Sequence, residues 1–268
     1  MSTKTGTGLS SNPDYSQAAK EAVNQALSYL NNETPDLLLV FSSTAYDYSK
    51  LLEAISKESN TTNIVGASTA GEFNQSSVSR NSVSIMAIKS DTIKFVPVLS
   101  RDSKGRYKEV AENIFGDFKE QLQLMGRDGL RYPTILLMMD AMMGSGEELV
   151  KDIYSKTGIL SQIVGGAAGD DAKLEKTHVF FGTEALENSI VFVKMFSKSK
   201  IGIGVSHGMK NATKPMKVTK SVGGVLYELD GKPAYQVYKD YAETKNVTLS
   251  PENTFEFLIN NNLAIQDL

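Results

Sequence analysis

Hydrophobic positions along the chain follow two periods. Between 13 and 31, Ala18, Ala19, Ala22, Val23, Ala26, Leu27 and Leu30 recur every three or four residues, which predicts an amphipathic helix. Asn12-Pro13 ahead of it reads as a cap followed by proline at the first helical position. At 36–42 the sequence DLLLVFS is a short unbroken apolar run, the pattern of a strand buried on both faces. A helix over 47–58 follows, with Leu51, Leu52 and Ile55 inward, and then a short strand from Ile64 runs into a small-residue loop. Strands are predicted at 82–89 and 92–99 around Ser90-Asp91, and a helix at 105–124. Residues 1–12 are small and polar, and form either a flexible end or a short edge strand.

The series then starts again. TILLMMD at 134–140 follows Pro133 as DLLLVFS follows Pro35, and a helix over 145–159 is entered through Gly144-Ser145-Gly146-Glu147. IVGGAAGDD at 163–171 matches IVGASTAGE at 64–72, and Asn188-Ser189 echoes Asn81-Ser82. The offset is 98 between the two prolines and 99 between Ile64 and Ile163. Landmarks in one order at a near-constant offset mark an internal duplication, with repeat one at about 35–125 and repeat two at about 133–206. Beyond it, 201–205 reads as a glycine-rich strand, 218–221 and 225–229 as further strands, and Asp230-Gly231 as a tight turn. Helices are predicted from Pro233 to 242 and over 251–260. The fold class is α/β: internally duplicated βαβββ-type units forming mixed sheets covered by helices.

Composition narrows the chemistry. The net charge of −3 and the scattered basic residues, with Lys214, Lys217 and Lys220 the nearest to a patch, argue against nucleic acid. Cysteine is absent, which excludes disulfides, thiolate nucleophiles and cysteine-ligated metals. Two histidines, His178 and His207, stand far apart, so no structural zinc site is expected. The polar first residues are no signal peptide, and no apolar run approaches the roughly 20 residues of a membrane span, so a cytoplasmic location is expected. No nucleophile elbow, Walker A or dinucleotide-binding glycine motif opens a helix.

The repeated loops are the candidate site. Ser68, Thr69, Ala70, Gly71 and Glu72 close the first strand pair, and Gly165, Gly166, Ala167, Gly169, Asp170 and Asp171 close the second. Small residues let a backbone approach another object closely, and unpaired N–H groups at such a turn suit a carboxylate or phosphate. The object is either a ligand or the neighbouring repeat, since both demand small residues. Glu72, Asp170, Asp171 and the strand-end Asp140 could accept from an ammonium, hold Mg²⁺, or simply cap turns. His207, alone after a glycine-rich stretch, is either a hydrogen-bonded structural residue or a ligand contact. Met138, Met139, Met142 and Met143 suit a pocket wall or ordinary core filling.

The paired IVGASTAGE and IVGGAAGDD segments, followed by GIGVSHGMKNATKPMKVTKSVGGVLYELDGKPAYQVY, resemble the FIST family of intracellular signal-transduction sensory modules. The resemblance implies an N-terminal FIST domain over 13–225 and the beginning of a C-terminal FIST domain, cut short, over 226–268. It implies a non-catalytic sensor that binds a small ligand such as an amino acid and signals to a histidine kinase, chemoreceptor or cyclase. It also implies, for some bacterial members, haem that detects nitric oxide, for which His207 or His178 would be the axial donor. Asn211 and Thr213 depart from the family pattern in the loop after Lys210. A Mg²⁺-dependent hydrolase using Asp140, Asp170 and Asp171, and an interaction scaffold, stand as alternatives. The ligand-binding reading expects the twin turns to face a shared hollow with free amides.

Overall fold

The computed structural model describes residues 2–158, 161–206, 208–222 and 225–264. They fall into two compact units, Met1–Ile203 and Gly204–Leu268. The first unit runs β1 (Thr3–Ser10), α1 (Tyr15–Ser28), β2 (Leu37–Ser42), α2 (Tyr48–Ser59), β3 (Ile64–Ser68), a small hairpin β4 (Glu72–Phe73) and β5 (Val78–Ser79), and β6 (Val83–Ser90). It continues with β7 (Ile93–Ser100), α3 (Tyr107–Phe115), α4 (Phe118–Arg127), β8 (Tyr132–Met139), α5 (Gly146–Thr157), β9 (Gln162–Ala167), a second hairpin β10 (Val179–Phe181) and β11 (Glu184–Leu186), and β12 (Ile190–Ser197). The α/β class is borne out.

The duplication is visible in the sheet order. One sheet runs β1-β6-β2-β3-β10-β11 and the other β7-β12-β8-β9. In both, the first strand joins the last antiparallel, and the middle two pair parallel across a helix. The repeating unit therefore begins one strand earlier than the apolar runs suggest, at Thr3 and Ile93 instead of 35 and 133. β1 was hard to read because Thr-Gly alternation carries little hydrophobicity. Its glycines admit α1: a Cβ on Gly8 would lie 1.9 Å from the Ala22 carbonyl oxygen and one on Gly6 2.1 Å from that of Ala26. The alanine stripe of α1 and the glycines of β1 are one contact written twice. Thr3–Ser10 form β1 at one end of its sheet.

Strand alternation builds four layers. Leu38, Val40, Ile64, Val83 and Ile85 face α1 and α2, and Ile135, Leu137, Ile190 and Phe192 face α3, α4 and α5. The opposite faces, with Leu37, Val65, Ala67, Met138, Val179, Val191 and Val193, pack the two sheets on each other. Met138, Met139 and Met143 are core residues, so ordinary packing accounts for most of the methionine cluster. The helix expected over 105–124 is broken into α3 and α4. The buried Lys194 of β12 donates to the Ile114 carbonyl at 2.6 Å and to Gln121 Oε1 at 3.0 Å, capping the last turn of α3 where Gly116 follows.

The second unit holds β13 (Val218–Val222), β14 (Val225–Leu229) and β15 (Lys232–Pro233) in one antiparallel sheet, then α6 (Ala234–Thr244) and α7 (Thr254–Asn260). The boundary between the compact units falls at Gly204. No strand forms at 201–205; its glycines offer nothing to pack and Val205 is 90% exposed. Among the described residues no helix is long and apolar enough to cross a membrane.

Candidate functional site

The two small-residue loops meet each other. Gly169 N donates to the Ser68 carbonyl at 2.7 Å and Asp171 N to the Thr69 carbonyl at 3.0 Å. A Cβ on Gly169 would come within 3.1 Å of Ala70 N and 3.2 Å of the Thr69 carbonyl carbon, so a side chain there would press the two loops a few tenths of an ångström apart. The neighbouring amides are committed as well: Ser68 N to the His178 carbonyl, Thr69 N to Ser42 and Ala168 N to Met139. The expectation of a shared hollow with free amides is overturned at these positions. Close packing between the repeats is what the small residues serve.

Gly165 has a different cause. A Cβ there would sit 1.8 Å from the Leu137 carbonyl oxygen of β8, and its counterpart Gly66 meets Val40 of β2 at the same 1.8 Å. Both glycines are fixed by the approach of the adjacent parallel strand. Gly166 has nothing within 4 Å of a Cβ and, with Ala167, lies exposed on β9. Gly71, at φ +157°, supplies the turn from β3 into β4.

Each acidic candidate has a defined task. Glu72 accepts from Thr69 Oγ1 at 2.5 Å, Ser82 N at 3.2 Å and Ser82 Oγ at 2.6 Å. Asp140 accepts from Met142 N at 2.9 Å, from Asn188 N at 2.6 Å and from the Thr177 hydroxyl. Asp170 takes the amides of Leu174, Glu175 and Lys176 at 2.9, 2.7 and 3.1 Å. Burial pushes its carboxyl up, and these amides more than offset that, leaving it below the ordinary aspartate value. Asp171 crosses to the other repeat, accepting from Ser43 Oγ at 2.9 Å, Thr44 N at 2.8 Å and Thr44 Oγ1 at 2.6 Å. Burial raises it and the Thr44 and Ser43 donors more than offset that, with the same net direction. Lys173 Nζ completes the clasp on Thr44 Oγ1 at 2.7 Å.

The segment that makes this clasp is strained. Asp171, Ala172 and Leu174 all adopt left-handed φ, at 55°, 61° and 56°, a conformation non-glycine residues avoid unless held there. Ser43, Thr44, Lys173 and Thr177 were not singled out by sequence reasoning. The SST run at 42–44 after a buried strand was the available signal.

The hydrolase alternative does not fit this geometry. Asp140, Asp170 and Asp171 are spent on separate backbone and hydroxyl donors, and among the described residues no three acidic or histidine side chains converge as metal ligands. His207 lies outside the described residues. His178 lies against Tyr48 with ring centroids 5.1 Å apart and planes tilted by 58°, and its Nδ1 is buried without a hydrogen-bond partner. It lines neither cleft described below. Burial pushes its pKa down, with Glu187 and Asp140 opposing. The unfolded chain therefore binds more protons, and stability falls as pH drops below about 6.5. That component should vanish from acid titrations of His178→Phe, which keeps the ring contact; an unchanged pH profile would contradict the assignment.

Open volume lies at the other end of the sheets. A cleft of 590 Å³ is lined by Thr34, Asp36, Asn63, Lys89, Asp91, Lys94, Phe95, Asp128 and Lys198, among others. A smaller one of 320 Å³ includes Asn63, Pro97, Phe181 and Glu184. In the larger, Asp36 accepts from Lys89 Nζ and from Ser90 N, both at 2.8 Å.

A family model described as FIST N domain matches residues 36–232. An uncharacterized protein of Methanocaldococcus jannaschii is 26% identical over 179 residues, covering 66% of this chain and 34% of that protein. The chain thus spans about a third of the length of the curated relative it matches.

Proposed function

Because the chain belongs to the FIST N domain family, we propose that it is a non-catalytic sensory domain whose small polar ligand sits in the 590 Å³ cleft. The volume falls within the range of small-molecule sites. The observation that carries the reading is the charge of both signs around that cleft: Lys89, Lys94 and Lys198 beside Asp36, Asp91 and Asp128. Such a lining suits a zwitterion, with an ammonium for the aspartates and a carboxylate for the lysines, as in an amino acid. The twin loops, closed on each other, have the role of holding the two repeats together. Occupancy of the cleft would bias the state presented to a signalling partner such as a histidine kinase, chemoreceptor or cyclase, through differential affinity for two states.

Thermal shifts across the common amino acids test this. A ligand at a hundredfold excess over its Kd adds about 2.7 kcal/mol of stability. Lys94 is exposed, so Lys94→Met should leave the unliganded protein as stable as the wild type and abolish the shift. A flat wild-type response to every amino acid would overturn the ligand class. A shift that survives Lys94→Met and disappears in Thr44→Ala would move the site to the loops.

A further inference from the structure

β7 ends one side of its sheet, and its ladder with β12 fixes which backbone groups it leaves open. Lys198 N donates to the Thr92 carbonyl at 2.9 Å, so Thr92 and Lys198 form a hydrogen-bonded pair in the β7–β12 register. By alternation Lys94, Val96 and Val98 point their backbone groups at β12, and Ile93, Phe95 and Pro97 turn theirs outward. Pro97 agrees with this, because it has no N–H to give a neighbouring strand. The Ile93 amide goes to Ser90 Oγ at 3.1 Å. The outward set is then the Phe95 amide and the carbonyls of Ile93, Phe95 and Pro97.

The same three residues line the two clefts. Ile93 and Phe95 line the larger and Pro97 the smaller, and alternate side chains of a strand share one face. Asn63 lines both, so the clefts lie side by side along β7. Ile93 and Pro97 are separated by about 13 Å of strand, beyond the span of one amino acid. The two ends differ in chemistry. The larger cleft presents Lys89, Lys94 and Lys198, which suit a carboxylate. The smaller presents Ile64, Pro97 and Phe181, which suit an apolar side chain, together with the exposed Glu184.

Building on the ligand-binding reading above, we propose that the ligand is an extended peptide of about five residues. It lies antiparallel beside β7, with its first residue in the smaller cleft and its last in the larger. In that register the third residue opposes Phe95 and exchanges both hydrogen bonds with it. The terminal ammonium donates to the Pro97 carbonyl on the side of Glu184, and the fifth amide donates to the Ile93 carbonyl. The carboxylate then falls among the lysines, and Asp91 and Asp128 suit a basic side chain on that last residue. Pro97 offers no N–H to a longer strand, which keeps the paired segment short. Main-chain bonds supply affinity, and the clefts, which take the first and last side chains, supply specificity.

Titration calorimetry of the whole chain with the peptide Leu-Thr-Ala-Thr-Lys and with free lysine tests this. The peptide should bind at least about tenfold more tightly than lysine, which fills the larger cleft alone. N-methylation of the central alanine removes its bond to Phe95 and should weaken the peptide at least about tenfold. N-methylation of the fourth residue, whose N–H faces away from β7, should change binding by less than about threefold. Thr183→Tyr, beside the smaller cleft, should bring the peptide down toward lysine and leave lysine unchanged. A peptide no tighter than lysine, or one indifferent to where the methyl sits, overturns the inference and leaves the cleft reading standing. No binding of either molecule overturns both.

Discussion

Gly66→Ala is expected to yield no folded protein, whereas Gly165→Ala yields a weakened but folded one. The new Cβ would meet a neighbouring carbonyl oxygen at 1.8 Å in both cases, Val40 in the first and Leu137 in the second. Backbone must move, because the obstructing atom is not the end of a flexible side chain. Gly66 sits on β3 with β2 on one side and β10 on the other, so displacement breaks one ladder or the other. A cost above about 4 kcal/mol follows, most of the stability of an ordinary domain. Gly165 sits on the last strand of its sheet, which can shift outward, and about 2 kcal/mol is expected. Gly166→Ala has open space and should stay within about 0.5 kcal/mol of wild type. Urea unfolding of Gly165→Ala and Gly166→Ala, beside the yield of folded Gly66→Ala, measures the order. Equal losses at Gly66 and Gly165 would contradict the edge position of β9.

The same glycines show how much the sequence could disclose. Apolar runs located β2 and β8 because strands buried on both faces leave no polar positions to confuse them. The duplication was legible because each copy keeps a glycine where the adjacent strand presses closest. β1 escaped as anything firmer than an alternative, since its packing depends on absent side chains at Gly6 and Gly8. The acidic candidates were found as residues and misjudged as a group. Adjacent Asp170 and Asp171 look like a ligand pair, yet one turns to its own loop and the other to Ser43 and Thr44 of the other repeat. Contacts across a sequence separation of 127 residues have no local signature. The cleft escaped for the same reason: Asp36, Lys89, Lys94 and Asp128 belong to separate elements and carry no motif.

Asp170→Ala should cost about 3 kcal/mol, and Asp171→Ala about 2, by urea unfolding at neutral pH. Asp170 is 2% exposed and holds three amides of a segment whose left-handed residues would otherwise relax, so its removal orphans all three donors and releases the strain. Asp171→Ala orphans Ser43 and Thr44 across the repeat boundary. The double variant should lose less than the sum, because both carboxylates fix one segment and the first loss already frees it. Both groups titrate below the ordinary aspartate value in the folded chain. Their contribution is therefore complete above about pH 4, the unfolded value, and is lost as pH falls through the folded values. Wild type and Asp170→Ala should converge in stability on acidification below that point. A gap that stays constant into acid would mean that Asp170 acts by its shape and not by its charge, and the clasp would then be a packing contact with no carboxylate role.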